Sequence, residues 1–103
     1  MKFRKKPVVI EATQWFKNGD HPLDGDDKRM EGAVVRYFRH PDIKDDDRCQ
    51  LCDRAMIDHG WIDTLESPDG FRVCPGDWII TGVHNEMYPI KPAIFADTYE
   101  RAD

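Results

Sequence analysis

The sequence predicts a mainly β fold, a small α+β domain built on a compact, twisted or barrel-like antiparallel sheet with a short C-terminal helix. Three observations predict it. Short runs rich in Val, Ile, Thr and aromatic residues alternate in polarity with a period of two. Clusters of Pro, Gly, Asn and Asp separate those runs. Helical spacing of apolar residues occurs only near the end of the chain. With 103 residues the chain makes a single domain, 1–103, because two halves would each be too small to bury a useful core.

The first strand is expected over Pro7–Phe16, where Val8, Ile10 and Ala12 share one face and Glu11 and Thr13 the other. A polar loop rich in turn formers follows over 17–28. Gly32–Arg39 alternates again, with Val34, Arg36 and Phe38 on one face, and is expected to end at His40-Pro41, since proline removes a ladder donor and restricts the residue before it. Gly60–Leu65 and Phe71–Cys74 flank Ser67-Pro68-Asp69-Gly70, whose chemistry suits a tight turn, so they are expected to form a hairpin. Pro75-Gly76 suits a second turn. Asp77–Val83 reads as a central strand, and Met87–Ile90 follows after the break His84-Asn85-Glu86. Pro92 fits the first position of a helix that carries Ile94, Phe95, Thr98 and Tyr99 at helical spacing, packed over the sheet.

Charged residues make up 34% of the chain and hydrophobic ones 40%, which leaves a modest core. Small domains of this kind often rely on a metal or a disulfide. The net charge of −5 makes the chain a poor phosphate binder unless its positive charges are clustered. Lys2, Arg4, Lys5 and Lys6 do form a cluster, read here as a solvated strand edge protected by lysines from edge-to-edge pairing. No run approaches the ~18–20 apolar residues that span a bilayer, and the start lacks the apolar region of a secretory signal. The expectation is a cytoplasmic protein with no membrane partner. In the reducing cytosol three cysteines favour a metal over disulfides.

Cys49-Gln50-Leu51-Cys52 has the spacing by which two thiolates reach one ion from a tight knuckle, and Cys74 supplies a third. His59, seven residues after Cys52 and just before a glycine, is the leading fourth donor. Four S and N donors make a closed tetrahedral site, so the predicted cofactor is a structural Zn²⁺ held by Cys49, Cys52, His59 and Cys74. A hairpin turning at Pro68-Asp69 sets Cys74 opposite Asp63, so His59 reaches the metal only through a bend near Gly60. His40 and Asp53 are the substitutes, while His21 and His84 have no evident route to the knuckle. Redox-active thiols are the alternative, but the flanks lack the strand-to-helix setting of a thioredoxin-like pair and the third cysteine would be idle. A catalytic zinc is disfavoured because no H-E-x-x-H or deaminase-type pattern accompanies the cysteines.

Trp61 and Trp78, with Tyr88 and Lys91, could stack on and neutralise a nucleic acid, though tryptophans in a small β domain more often fill the core. Arg36, Arg39 and Trp61 are the candidate binding residues. The loop aspartates read as solvating charge. No phosphate loop, nucleophile elbow or carboxylate pair is evident, so no catalytic residue is assigned.

The opening MKFRKKPVVIEA and the closing PGDWIITGV, YPIKP and IFADTYE resemble a family of small uncharacterised proteins encoded by bacteriophages and prophages. The middle, CQLC, then HGWIDTLE and VCPGDW, is similar to a zinc-bearing branch of that family found in phages of actinobacteria. The resemblance favours His59 as the fourth ligand. It implies an accessory protein made in an infected or lysogenic bacterial cell, and it implies no particular activity. The function expected is a non-enzymatic module that binds a host or phage protein. The rival readings are a nucleic-acid-binding module and a zinc-dependent hydrolase or nucleotide-modifying protein.

Overall fold

The computed structural model describes residues 1–4, 6, 8–25, 30–38, 43–44, 46–63 and 70–102. Within them the elements run β1 (Glu11–Gln14), β2 (Arg36–Tyr37), β3 (Gly60–Ile62), β4 (Phe71–Val73), β5 (Trp78–Thr81), β6 (Met87–Ile90) and α1 (Pro92–Thr98), with short 3₁₀ turns at Pro22–Asp24 and Met56–Asp58. The mainly β class and the C-terminal helix hold. The strands form two antiparallel sheets of three, ordered β1-β5-β6 and β2-β3-β4, and they do not close into a barrel. Closure needs every strand paired on both sides. Among the described residues each sheet keeps two edge strands, and no strand is longer than four residues.

The first strand is shorter than Pro7–Phe16 because its partner runs out. Glu11 pairs with Thr81, the last residue of β5, so Val8–Ile10 extend past the end of the ladder; Pro7 lies outside the described residues. The second strand is likewise shorter than Gly32–Arg39. Val34 and Val35 donate their N–H groups to the Asp24 carboxylate, at 2.6 and 3.2 Å, and only Arg36 and Tyr37 reach β3. Asp24 is therefore a backbone anchor and not a solvating charge. Asp20 acts similarly, accepting from the N–H groups of Phe16 and Lys17. Arg39 and His40-Pro41 lie outside the described residues, as does 64–69 with most of the proposed Ser67–Gly70 turn.

The core lies where the two sheets face each other. Trp15, Val35, Ile62, Val73 and Ile79 form one buried cluster, with Val34, Phe71 and Met87 packed against it. Alternation explains the membership: Gly60 and Ile62 share a face with their partners Val73 and Phe71, whereas Trp61 and Arg72 point the other way. The absent side chain of Gly60 makes room for the Val35 methyls and the Trp15 ring, which an added Cβ would strike. On the outer face of β5, Trp78 stacks on Phe95 of α1 at 4.1 Å, and Phe95 on Tyr99 at 5.4 Å. The helix thus docks through Phe95 and Tyr99. Ile94, expected to pack on the sheet, is 56% exposed, because its position turns it away from that aromatic column. Trp78 is accordingly spent on packing. No described helix is long and apolar enough to cross a membrane.

Candidate metal centre

Three loops converge on one point outside the second sheet. The first is the knuckle. Cys49 donates its N–H to Arg54 O and accepts at its own carbonyl from Asp53 N–H, both at 2.9 Å, which folds residues 49–54 into a closed turn. Asp53 takes φ +62° to complete it, a left-handed conformation that aspartate tolerates better than most residues. Leu51 N–H then points at Cys49 Sγ, 3.4 Å away. An antiparallel bridge between Arg48 and Ala55 holds the base of the loop.

The second contribution is His59, which ends the 3₁₀ turn Met56–Asp58. The third is Cys74, at the start of the turn that leads into β5. There Asp77 N–H donates to Cys74 O at 3.0 Å, and Gly76 supplies φ +98°, as the Pro75-Gly76 pair predicts for a turn of this type.

The hairpin brings His59 and Cys74 together directly. Gly60 pairs with Val73, so His59 and Cys74 each lie one residue beyond that pair, on the same face as Trp61 and Arg72. The register with Cys74 opposite Asp63 is therefore wrong by four residues, and no bend at Gly60 is needed.

The ligand atoms of Cys49, Cys52, His59 and Cys74 all lie within 4.8 Å of one another, a cluster that could hold a metal ion. Cys49 Sγ and Cys74 Sγ are 3.8 Å apart, the ~3.8 Å edge of a tetrahedron built on ~2.3 Å metal–sulfur bonds. Cys52 Sγ lies 3.2 Å from His59 Nε2, a few tenths of an ångström inside the roughly 3.5 Å edge that such bonds imply. His59 Nδ1 sits 3.0 Å from Ala55 O. A carbonyl only accepts, so Nδ1 carries the proton and Nε2 turns its lone pair toward the cysteines, the orientation that ligating histidines need. His40 lies outside the described residues, and Asp53, His21 and His84 are not in the cluster.

Two cations flank the thiols: Arg72, which the sequence did not single out, and Lys91, which it offered only as a possible nucleic-acid contact. Arg72 Nη1 is 3.5 Å from Cys49 Sγ. Lys91 Nζ lies 3.1 Å from both oxygens of the buried Asp77 carboxylate, which also accepts the Cys74 N–H at 2.9 Å. Burial disfavours the Cys49 thiolate, yet the N–H groups of Leu51 and Cys52, the Arg72 guanidinium and the Cys74 thiol bring its pKa down to about 6. Cys74 moves the other way: burial, with the charge of Asp77 nearby, pushes it up to about 12 against the pull of Lys91. Lys91 is itself held above its ordinary value, since Cys74 and Asp77 outweigh its own desolvation. A divalent ion with three thiolates and one neutral imidazole carries one net negative charge, which Arg72 and Lys91 are placed to offset. Strand parity was the available signal, because Arg72 stands two residues before Cys74 and faces the same way.

Of the three candidate binding residues, Arg36 and Trp61 are direct cross-strand partners and share one face of the second sheet, while Arg39 lies outside the described residues. Arg36 is exposed on β2 and pairs with Glu31 and Asp63, at 3.7 and 3.8 Å. Trp61 is half-buried and packs edge-on against Phe38, at 5.5 Å. An open cleft of about 560 Å³ between the sheets, lined in part by Val34, Ile62, Phe71 and Met87, also takes in Tyr88 and His84 but none of Arg36, Trp61 and the four candidate metal ligands. Compared with protein-family models, curated proteins and solved structures, the chain matches none.

Proposed function

We propose that this chain is a non-enzymatic accessory protein, of phage or prophage origin as the resemblance implies, that works in the cytoplasm of a bacterial host by presenting a zinc-stapled surface to a protein partner. The observation that carries the reading is the donor set: four protein side chains, three of them buried, whose ligand atoms lie within 4.8 Å of one another, as many donors as a closed structural zinc site needs. Zinc suits the set better than oxygen-loving cations because the donors are thiolate and imidazole. A catalytic zinc would keep one position for water or substrate.

The loops that the metal ties down carry Leu51 and Ile57, 64% and 65% exposed. Apolar side chains on loops fixed by a metal offer a protein partner a contact whose ordering cost is already met. The acidic balance and the pairing of Arg36 with two carboxylates weigh against a nucleic acid.

Elemental analysis of protein purified without added metal tests the reading, with His59→Ala as the comparison. One zinc per chain in the wild type and a depleted or readily stripped variant are expected. Metal-free wild type, or turnover of substrate dependent on the bound zinc, would refute it.

A further inference from the structure

The segment before β1 and the outer edge of β1 form a surface with one self-consistent occupant. Trp15 donates its N–H to Asp77 O at 2.8 Å and accepts at its carbonyl from Gly76 N–H at 2.6 Å. Odd positions of β1 therefore turn their peptide groups toward β5. In an antiparallel ladder the even positions turn them the opposite way, so Ala12 and Gln14, and Val8 and Ile10 if the strand continues, aim N–H and C=O at the open side. β1 is an edge strand, and among the described residues no backbone hydrogen bond reaches that side. Val8 and Val9 are 48% and 78% exposed. A β-prone, apolar edge left unpaired is a template for another strand.

Charge identifies which strand. Residues 1–10 carry four of the chain's fifteen Lys and Arg and none of its twenty Asp and Glu, so against the net −5 of the whole chain the remaining residues carry −9. The basic segment of one copy complements the acidic body of another. An antiparallel arrangement sends each basic segment along the other copy's β1, away from its twin, whereas a parallel one would bring the two together. The lysines thus restrict the edge to one mode of pairing, which differs from simple protection.

We propose that two copies of this chain pair antiparallel through residues 8–10, joining the β1-β5-β6 sheets into one six-stranded sheet about a two-fold axis normal to it. Such an axis preserves the faces of the sheet and pairs only residues of equal parity. Centring it on Val9 sets Val9 opposite Val9 and Val8 opposite Ile10 of the second copy, so that all three central pairs are apolar; centring on Val8 would set Lys6 against Ile10. The contact is isologous and closes at two copies. This interaction goes beyond the metal-dependent reading and does not require the metal.

Sedimentation of the full-length, metal-loaded protein across the micromolar range tests it. A reversible dimer is expected, weakened by salt. Val8→Pro removes one edge donor per copy and should weaken the dimer about 30-fold, two ladder bonds at ~1 kcal/mol each. Val9→Lys places like charges face to face and should leave only monomer. Both positions lie outside β1, so the thermal melt of each monomer should match the wild type. A wild type that stays monomeric, a dimer indifferent to both substitutions, or open-ended polymers would each overturn the proposal.

Discussion

Arg72 places a guanidinium 3.5 Å from Cys49 Sγ, on the face of β4 that carries the candidate metal cluster, where bound thiolates would concentrate negative charge. Groups that hydrogen-bond to ligands without touching the ion commonly change metal affinity ~10–100-fold when removed. Arg72→Gln should therefore bind metal more weakly by about that factor, and Arg72→Lys should recover part of the loss by restoring the charge without the planar fork. Competition against a chromophoric chelator measures both; equal affinity in all three proteins would remove Arg72 from the site. His21 shows a different buried group. It is 4% exposed and accepts the Leu23 N–H at Nδ1, 3.1 Å away. Burial lowers its pKa below the ordinary 6.5, against the opposing pull of the Asp24 carboxylate. A depressed folded-state value means that the unfolded chain takes up the proton first as pH falls. The stability from neutral His21 is thus complete above ~6.5 and erodes as pH drops toward the folded pKa. An NMR titration should give a His21 midpoint below the ordinary value, and a midpoint at or above it would contradict this account.

At the scale of the elements, the metal ligands were legible from residue type and spacing, while their geometry was not. The C-x-x-C knuckle needs only local chain, so Cys49 and Cys52 could be read from four residues. Cys74 and His59 depend on the register of β3 against β4, where alternation was silent: a shift by two or four residues leaves every side chain on the same face, so the apolar pattern of Ile62, Phe71 and Val73 fits both registers. Only the turn decides, and Ser67-Pro68-Asp69-Gly70 carries persuasive turn chemistry in a connection longer than a tight turn needs. The other misplaced boundaries share a cause. Val8–Ile10 and Val34–Val35 have strand-like sequence, but a strand exists only where a partner runs beside it. β5 ends at Thr81, and the Asp24 carboxylate takes the N–H groups of Val34 and Val35. By contrast, β6 and α1 appear where expected because local signals suffice: Asn85 adopts φ +64° in the hairpin loop, and Pro92 opens the helix.

Across the whole molecule two buried clusters divide the work unequally. The larger one joins both sheets through Trp15, Val35, Ile62, Val73 and Ile79 and contains no metal ligand. The smaller one is Cys49, Met56 and Cys74, with Phe38, Ile43 and Cys52 around it. Two of its three buried residues are candidate ligands, so without a cation its interior is a pair of thiols and one methionine. The other hydrogen bonds of the loop over 46–59 are mostly local: the Arg48–Ala55 bridge, backbone bonds from Asp47, Cys49, Asp53, Met56, Asp58 and His59, and those of the Arg48 and Asp47 side chains with Asp53 O and Lys44 N–H. Metal removal should therefore act in a graded way. Hydrogen exchange after chelation should show the amides of Cys49, Asp53 and Met56 losing protection by more than about tenfold, while those of Ile79 and Ile80 in the central strand of the other sheet lose least. The melting temperature should fall as well, since the ion binds the folded state alone. Amides that all open together would show that the two clusters form one cooperative unit, and unchanged exchange at 49–56 would show that the four ligands hold no metal that matters to the fold. The graded pattern follows from the position of the four donors: His59 and Cys74 extend β3 and β4 outward from the shared core, so a bound ion would secure the periphery of a sheet whose inner face Trp15 and Ile79 already hold.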